Sequence, residues 1–408
     1  LISLHFEDSL SHEALFQAHV DWAERYARRW YPVRPPLARA RAAGEPLRLG
    51  YVSGSLNGQI VGHFLQNLLA HHDHARFHVT LFSTTRSIDA VTDRLRSLAD
   101  AWVEIAGLDD AAGAVRIQAS DIDILVDLDG HSPTGRPLLF ARKPAPVQVE
   151  WLDYFDTSGL ATMDYFLTDP YSTPPDSPQR YVETPYRLPH TRFCYTPPAY
   201  APSPAPSPAL GGRPFTYGSF NRQDKLSPAL IDTWAAILRH APGTRLLLKN
   251  RGLQVEGARS FLLEQFAAAG VGPERLILRG PSPHATMLAE YAEIDVALDP
   301  FPYNGGLTSC ECLWMGVPIV ALEAERLIGR QTAAMLRLLG LDDWVAVSRD
   351  DYIALAVAKH RDAEALAPVR AGLRARMAAS PLCNGALFAR DIEAAYLDIW
   401  QRACHPPS

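Results

Sequence analysis

One stretch constrains the fold of this chain more than any other: residues 298–318, which read LDPFPYNGGLTSCECLWMGVP. The apolar run that ends at Asp299 predicts a buried strand, the NGG at 304–306 predicts a tight loop, and a helix is expected to begin near Thr308. The N–H groups of such a loop and the positive end of the helix dipole both favour a phosphate. The segment therefore predicts a parallel sheet with an anionic ligand at the carboxyl ends of its strands.

Glu311 lies one turn inside this expected helix. A carboxylate there can accept hydrogen bonds from the hydroxyls of a ribose. Together with the phosphate-binding loop, this indicates a nucleotide that carries a diphosphate. The residues alone also allow a plain strand–turn–helix connection whose glycines serve only packing.

Length and composition exclude several classes of protein. The 408 residues are too many for one compact core and suit two domains of ordinary size. With 47% hydrophobic and 21% charged residues, the chain is not of the disordered class. Its net charge of −6 disfavours nucleic acid as a partner. The five cysteines form no CxxC pair, which predicts reduced thiols in a cytoplasm.

The sequence gives no sign of membrane attachment. No apolar run approaches the roughly 20 residues needed to span a bilayer, and no signal peptide is recognisable, so no membrane partner is expected. The first residue is Leu1 rather than Met. We therefore expect a further segment upstream.

Short apolar runs alternate with helical patterns along most of the chain. Runs such as 47–53, 122–128 and 245–249 have strand length, and the stretches between them show helical periodicity. This alternation is typical of a parallel sheet with helices on both faces. A proline-rich stretch at 197–214 interrupts it and indicates a linker. The predicted fold class is α/β, with two doubly wound, Rossmann-like domains.

The predicted organisation has five parts. They are an N-terminal helical segment at 1–46, a Rossmann-like domain at 47–196, the linker at 197–214, a second Rossmann-like domain at 215–385, and a C-terminal helix and tail at 386–408. Topology alone also allows a two-domain binding protein of similar build.

A second candidate for phosphate binding follows the first strand of the later domain, in the run FNRQDKLSP at 220–228. Lys225 precedes a helix that Ser227 is expected to cap, with Pro228 in its first position. An ammonium group here can neutralise a departing diphosphate. The structural alternative is a solvated surface lysine, the usual fate of this residue type.

Together these motifs resemble the O-GlcNAc transferase/SPINDLY family, glycosyltransferase family 41. The resemblance extends from about His5 to Trp400 and is most specific in the 298–318 segment and in the Phe-Asn-x-x-x-Lys pattern. It implies a two-domain glycosyltransferase of the B type, whose first domain takes the acceptor and whose second binds the nucleotide sugar. It also implies an array of tetratricopeptide repeats upstream.

The resemblance implies roles for individual residues. The expected catalytic set is His5, His63 and Lys225, in which Lys225 binds the β-phosphate and either histidine handles the acceptor proton. The expected substrate-binding set is Arg222, Ser282, His284, Met287, Gly305, Gly306, Leu307, Thr308, Glu311 and Asp153. Hydrogen-bonded structural histidines are the alternative for His5 and His63.

The chain departs from the family pattern at several positions. Relatives usually carry Asp-Phe in place of Ser55-Leu56, and histidines in place of Gln59 and Met287. The two ionisable groups suggested for proton handling are therefore missing at the positions of Ser55 and Gln59. Asp153 stands where relatives usually have a small residue, so it would alter the fit of the donor or supply a replacement base.

The leading hypothesis is an inverting glycosyltransferase that moves a sugar, GlcNAc from UDP-GlcNAc, onto Ser or Thr hydroxyls of a protein in the cytoplasm. No metal or other cofactor is expected, because Lys225, Arg222 and a helix N-terminus meet the phosphate charge. The alternatives are a catalytically impaired nucleotide-sugar-binding or scaffold protein, and an O-fucosyltransferase that uses GDP-fucose.

Overall fold

The computed structural model describes residues 1–7, 10–42 and 44–405. The strands are β1 Leu47–Ser53, β2 Phe77–Ser83, β3 Ala101–Glu104, β4 Ile124–Asp127, β5 Val147–Glu150, β6 Tyr165–Thr168, β7 Thr184–Arg187, β8 Thr216–Ser219, β9 Arg245–Lys249, β10 Leu276–Arg279, β11 Val296–Leu298, β12 Ile319–Leu322 and β13 Val345–Ala346. The α-helices are α1 His12–Trp22, α2 Ile60–Leu69, α3 Ala90–Leu98, α4 Asp110–Gln118, α5 Pro137–Phe140, α6 Pro228–His240, α7 Glu256–Ala268, α8 His284–Glu290, α9 Leu307–Trp314, α10 Gln331–Leu338, α11 Arg349–Arg361, α12 Leu366–Ala379 and α13 Gly385–Cys404.

The chain divides into two compact units, which are described separately. The N-terminal unit comprises Leu1–Leu4, Ser9–Thr196 and Cys383–Ser408, so the last helix, α13, belongs to it. The C-terminal unit comprises His5–Asp8 and Pro197–Leu382.

The N-terminal unit is built on a seven-stranded parallel sheet with the order β3-β2-β1-β4-β5-β6-β7. Its central strands are buried along their whole length and rich in aliphatic residues, as in β4 (ILVD) and β5 (VQVE). A parallel strand covered by helices on both faces requires this pattern. The order of strands reverses between β1 and β4, and the crevice at such a reversal is where sheets of this kind bind ligands.

The C-terminal unit repeats this arrangement with a six-stranded parallel sheet, in the order β10-β9-β8-β11-β12-β13. Its order reverses between β8 and β11. Aromatic and aliphatic side chains fill the space around the sheet; Trp234, Tyr217 and Tyr352 are fully buried there. The Trp234 Nε1–H donates to the Tyr352 hydroxyl at 3.2 Å, so these two aromatic side chains pair their polar groups inside the core.

Two parallel sheets with helices alternating along the chain confirm the predicted α/β fold class. The strands β1 and β9 have the bounds that the sequence predicts. The edge strand β13 was not predicted, nor were the two edge strands of the N-terminal sheet, β3 (AWVE) and β7 (TPYR). Both are only partly buried, and β7 contains a proline, because an edge strand needs neither two apolar faces nor a full set of N–H donors.

The predicted N-terminal helical segment consists of several short pieces. A 3₁₀ segment covers Ile2–Phe6, α1 follows with Ser11 as N-cap, and a π turn at Ala23–Ala27 leads into a 3₁₀ turn at Arg28–Trp30. The Ser11 side chain accepts a hydrogen bond from the Ala14 N–H at 3.1 Å, as the sequence predicts. Residues 8 and 9 lie outside the described part of the chain.

No helix in the described residues is long and apolar enough to cross a membrane.

Candidate nucleotide site

The candidate site lies at the carboxyl edge of the C-terminal sheet, where the strand order reverses. The loop after β8 carries Asn221 and Lys225, and the loop after β11 carries Asp299, Gly305 and Thr308. Because β8 and β11 are neighbours in the sheet, their loops meet. The sequence segments singled out above, nearly eighty residues apart, therefore form one site.

Lys225 joins the two loops. A 3₁₀ turn at Gln223–Lys225 directs its side chain inward, and only 8% of the residue is exposed. Its Nζ donates to the main-chain oxygen of Asn304 at 2.6 Å and to Oδ1 of Asn221 at 3.2 Å. The alternative of a solvated surface lysine is therefore excluded, and both loops hold this ammonium in a fixed place.

An aromatic ring covers the same ammonium. Lys225 Nζ lies 4.2 Å from the centre of the Tyr303 ring, within the range of a cation–π interaction. The Phe6 ring stacks on Tyr303 with 5.1 Å between ring centres. Burial lowers the pKa of Lys225, and the charge of Asp299 opposes this shift. The lysine therefore depends on nearby negative charge to remain protonated.

Asp299 holds the glycine loop in place. Its Oδ1 accepts a hydrogen bond from the Gly305 N–H at 2.8 Å. Burial raises the pKa of Asp299, while the Gly305 hydrogen bond and the charge of Lys225 lower it. A Cβ on Gly305 would collide with the Ser309 side chain, so only glycine allows the loop to pass this close to the helix.

Helix α9 begins directly after this loop and supplies further donors. Its N-cap is Gly306, which has no side chain to cap the first N–H groups. The Thr308 hydroxyl, in the first turn, donates to Asn221 Oδ1 at 3.1 Å, the same oxygen that Lys225 contacts. An ammonium, a hydroxyl and the start of a helix thus converge on one edge. This combination suits the phosphates of a nucleotide.

The carboxylate of Glu311, one turn further along α9, is 3% exposed. His284 Nε2, at the start of α8, lies 2.7 Å from Glu311 Oε1. The other ring nitrogen of His284 lies 2.6 Å from the Tyr200 hydroxyl. Glu311 and His284, both predicted site residues, are therefore in direct contact.

The other predicted residues of this unit lie in varied surroundings. Arg222 is mostly exposed and forms an ion pair with Asp224, two residues further on. The Ser282 hydroxyl lies 3.4 Å from a carboxylate oxygen of Glu290. Met287 is half-buried within α8, one turn beyond His284.

The predicted catalytic histidines belong to different units. His63 lies in α2 of the N-terminal unit, is 5% exposed, and has its ring centre 6.4 Å from that of Tyr195. His5 is fully buried and groups with the C-terminal unit. Its neighbour Phe6 stacks on the ring of Tyr303, which in turn lies over the Lys225 ammonium. His5 is therefore two residues along a chain of contacts from Lys225.

The N-terminal unit has a cavity of its own at the carboxyl edge of its sheet. Its volume is about 620 Å³, and it is lined by Gly54, Asn57, Gln59, Thr84, Arg86, Ser87, Ala106, Leu108, Pro133, Thr134, Gly135 and Arg136. These residues follow β1, β2, β3 and β4, so the cavity lies at the point where the strand order reverses. The hydroxyls of Ser55 and Thr134 lie 3.2 Å apart and connect the loop after β1 to the loop after β4.

The charged residues in this cavity wall are both arginines. Arg136 pairs with Asp110 and donates to two main-chain oxygens, whereas Arg86 is exposed. Asp153, the remaining predicted substrate-binding residue, follows β5 and donates its N–H to the Leu128 oxygen at 3.0 Å. It does not line the cavity.

Several carboxylates are buried beneath the same edge. Asp129 accepts hydrogen bonds from the Ser53 hydroxyl and the Gly54 N–H, both at 2.7 Å. Burial raises the pKa of Asp127 to about 7, and it raises the pKa of Glu150 well above its ordinary value. Neither oxygen of Glu150 has a hydrogen-bond partner within the described residues. Burial of this kind favours the protonated form of Glu150.

No cluster of three or more His, Cys, Asp or Glu side chains in the described residues has the geometry to hold a metal ion.

Sequence reasoning missed two parts of the C-terminal site. The Asn304 main-chain oxygen binds Lys225, but residue letters do not record main-chain geometry. Tyr200 lies in the proline-rich stretch interpreted as a linker, and no motif marks it. Asn221 could have been found, since it belongs to the Phe-Asn-x-x-x-Lys pattern that identified Lys225.

Comparison with known proteins gives matches over nearly the whole chain. The probable UDP-N-acetylglucosamine–peptide N-acetylglucosaminyltransferase SPINDLY of Solanum lycopersicum is 35% identical over 99% of this chain and 44% of its own length. A mutant of the Thermobaculum terrenum O-GlcNAc transferase superposes with a TM-score of 0.93 at 38% identity, covering 99% of this chain and 76% of that one. Anabaena HepE, solved with UDP and glucose, shares only the fold, with a TM-score of 0.53 at 14% identity over 86% of this chain and 100% of HepE.

This chain spans less than half the length of the SPINDLY protein. The sequence model of glycosyl transferase family 41 matches residues 32–196 and 209–392, which include both sheets and the candidate nucleotide site. The chain belongs to glycosyl transferase family 41.

Proposed function

We propose that this chain is the catalytic region of a glycosyltransferase that moves a sugar from a nucleoside diphosphate onto Ser or Thr hydroxyls of a protein. The proposed donor is UDP-GlcNAc, since relatives are named as UDP-N-acetylglucosamine–peptide transferases. The proposed stereochemical outcome is inversion at the anomeric carbon. A cytoplasmic location and an upstream repeat array belong to the same proposal.

The observation that carries this proposal is the convergence of Lys225 and Thr308 on Asn221 Oδ1, beside the uncapped start of α9. In the proposed reaction the acceptor oxygen attacks the anomeric carbon as the bond from that carbon to the phosphate oxygen breaks. The bonding electrons leave with the diphosphate, whose developing charge Lys225 and the α9 amides stabilise. Such donors accelerate a reaction because they are in place before the charge develops.

The acceptor hydroxyl must lose its proton to a base. His5 and His63 are the proposed candidates, since relatives usually carry ionisable groups at the positions of Ser55 and Gln59, where this chain has neither. Ser55 instead contacts the Thr134 hydroxyl. Replacing each histidine by Gln separates the two candidates: the base is the one whose loss lowers kcat and removes the acidic limb of the pH–rate profile.

For the acceptor, we propose that the cavity of the N-terminal unit takes part of the polypeptide. Its wall carries polar side chains and two arginines but no carboxylate. Because Asp110 neutralises Arg136, the uncompensated positive charge is that of Arg86. An acidic side chain near the acceptor hydroxyl suits this cavity best.

No metal is required in the proposed mechanism. The charge of the diphosphate is met by Lys225 and by the N-terminus of α9, so we propose that chelators leave activity unchanged. The measurement is sugar transfer with and without EDTA, and a loss that added Mg²⁺ or Mn²⁺ restores would overturn this part of the proposal.

A donor screen tests the proposal directly. The melting temperature of the chain is measured with UDP, GDP, UDP-GlcNAc and GDP-fucose, and transfer to peptides is followed by intact mass. We expect UDP and UDP-GlcNAc to raise the melting temperature, because a ligand that binds only the folded state stabilises it. An added mass of one N-acetylhexosamine on Ser or Thr supports the proposal. Stabilisation by GDP alone with transfer of fucose would assign the other donor, and no response to any of the four ligands would overturn nucleotide-sugar binding altogether.

A second candidate function is nucleotide-sugar binding without turnover. It is favoured by the absence of ionisable side chains at Ser55 and Gln59. It predicts stabilisation by UDP-GlcNAc together with no transfer and no hydrolysis of the donor. The same screen therefore separates the two candidates.

A further inference from the structure

We propose that Tyr200 and His284 position the Glu311 carboxylate so that it reads the ribose hydroxyls of the nucleotide. The three side chains are linked in sequence: the Tyr200 hydroxyl lies 2.6 Å from His284 Nδ1, and His284 Nε2 lies 2.7 Å from Glu311 Oε1. The inference rests on the proposed function, since it assumes a ribonucleotide at this edge of the sheet. It adds Tyr200, a residue outside every motif, as a positioning residue.

For an ionised carboxylate and a neutral imidazole, the chemistry of the three groups sets the direction of the hydrogen bonds. An ionised carboxylate can only accept, so the proton on the ring must be carried by Nε2 of His284. In a neutral imidazole Nδ1 is then an acceptor, and the Tyr200 hydroxyl donates to it. Tyr200 thereby selects the tautomer that donates to Glu311.

Because Glu311 is buried, its carboxylate depends on the hydrogen bond from His284. The Glu311 side chain is 3% exposed, whereas that of His284 is 29% exposed. A buried carboxylate is costly unless it receives hydrogen bonds. His284 supplies one, and a carboxylate has about four lone-pair sites, so acceptor capacity remains for ribose hydroxyls.

The ring geometry adds a second constraint. The Tyr200 and His284 rings meet edge to face, with 5.7 Å between centres and an interplanar angle of 84°. Contact and hydrogen bond together fix both the plane and the tautomer of the imidazole. Without the Tyr200 hydroxyl, either ring nitrogen can carry the proton, and the bond to Glu311 is no longer ensured.

The inference predicts a selective loss of affinity for ribose. The test compares wild type with Tyr200→Phe, which removes a single oxygen, by calorimetric titration with UDP and with 2′,3′-dideoxy-UDP. GDP and its dideoxy form are titrated in parallel. We expect Tyr200→Phe to weaken the ribonucleotide about five-fold, the size of one lost hydrogen bond, and to change the dideoxy ligand less than about two-fold. His284→Ala should show the same selectivity with a larger loss.

Tyr26→Phe is the matched control, because Tyr26 is also an exposed tyrosine but lies in the N-terminal unit. It should leave all four affinities unchanged. Equal weakening of the ribose and dideoxy ligands by Tyr200→Phe would indicate a merely structural role and overturn the inference, as would no weakening. Wild type that binds none of these ligands would instead overturn the proposed function, and this inference with it.

Discussion

Lys225 donates a hydrogen bond to the main-chain oxygen of Asn304, 2.6 Å away. This single contact joins the loop that follows β8 to the loop that follows β11. Because those strands flank the point where the sheet reverses its order, the lysine lies where parallel sheets bind their ligands. The ammonium is therefore fixed before any nucleotide arrives.

Lys225→Met should remove most of the activity while preserving the fold. Methionine keeps an unbranched stem beneath Tyr303 but lacks the charge that stabilises the departing diphosphate. We expect kcat/KM to fall about 10²–10³-fold, the usual effect of removing a preorganised donor. Lys359→Met is a close control, since Lys359 Nζ also lies 4.0 Å from the centre of an aromatic ring, that of Trp344. A Lys225→Met enzyme with wild-type kcat/KM would exclude this role for the lysine.

Nucleotide binding should be accompanied by uptake of protons at alkaline pH. Burial lowers the pKa of Lys225 in the free chain, so the ammonium loses its proton at a lower pH than an ordinary lysine. A bound diphosphate favours the charged form and raises that pKa again. Affinity for UDP should therefore fall as the pH rises through the lowered pKa. Calorimetry in buffers of different ionisation enthalpy measures the proton uptake, which Lys225→Met should abolish.

Asn221 should couple energetically to Thr308. Its Oδ1 receives both the Thr308 hydroxyl and the Lys225 ammonium, so each substitution disturbs the same arrangement. We expect Asn221→Ala and Thr308→Val each to weaken UDP binding, and the double variant to lose less than the sum by about 0.5–1.5 kcal/mol. Thr233→Val, in α6, is the control partner; its hydroxyl donates to the Ala229 oxygen. Additivity between Asn221 and Thr308 would show that they act independently.

Glu150→Gln should reduce the slope with which the free energy of unfolding falls as the pH rises. Burial raises the pKa of Glu150 in the folded state, so folded protein retains a proton that the unfolded chain has released. The stability linked to this proton is complete below the ordinary glutamate pKa of about 4.3 and is lost as the pH rises, by up to about 1.4 kcal/mol per pH unit. Urea unfolding at pH 5 to 8 measures the slope, with exposed Glu264→Gln as control. Parallel curves for wild type and Glu150→Gln would contradict this prediction.

Arg86→Glu should change the preference among acceptor peptides without changing the affinity for the nucleotide. In the cavity of the N-terminal unit, Arg136 is already paired with Asp110, so Arg86 carries the uncompensated charge. We expect kcat/KM for peptides with an acidic residue near the Ser or Thr to fall about ten-fold relative to neutral peptides. The affinity for UDP should stay constant, and Arg94→Glu, on the exposed face of α3, should have little effect. Equal losses for acidic and neutral peptides would exclude a charge-selective contact.

The sequence was most informative where backbone geometry demands a particular residue. Gly305 marks the loop because a Cβ there would collide with the Ser309 side chain, and Ser227 with Pro228 marks the start of α6. The alternation of apolar runs with helical patterns was enough to predict both sheets. The edge strand β7 was missed because its residues TPYR are partly exposed and include a proline.

The environment of Lys225 could not be predicted from sequence patterns. Its burial depends on a 3₁₀ turn, a main-chain oxygen of Asn304 and the ring of Tyr303, all brought together by tertiary packing. Tyr200 is separated from His284 by 84 positions, and no periodic pattern connects them. Contacts of this kind follow from the fold and leave no local signature.

The tight passage of the chain at Gly305 also limits how this protein can be redesigned. A Cβ there would collide with the Ser309 side chain, so any other residue at 305 requires that buried side chain to move. Met287, half-buried on α8, can be randomised without that obstacle. Laboratory evolution toward other sugar nucleotides should therefore recover its useful variants from α8 and retain glycine at 305 in every survivor.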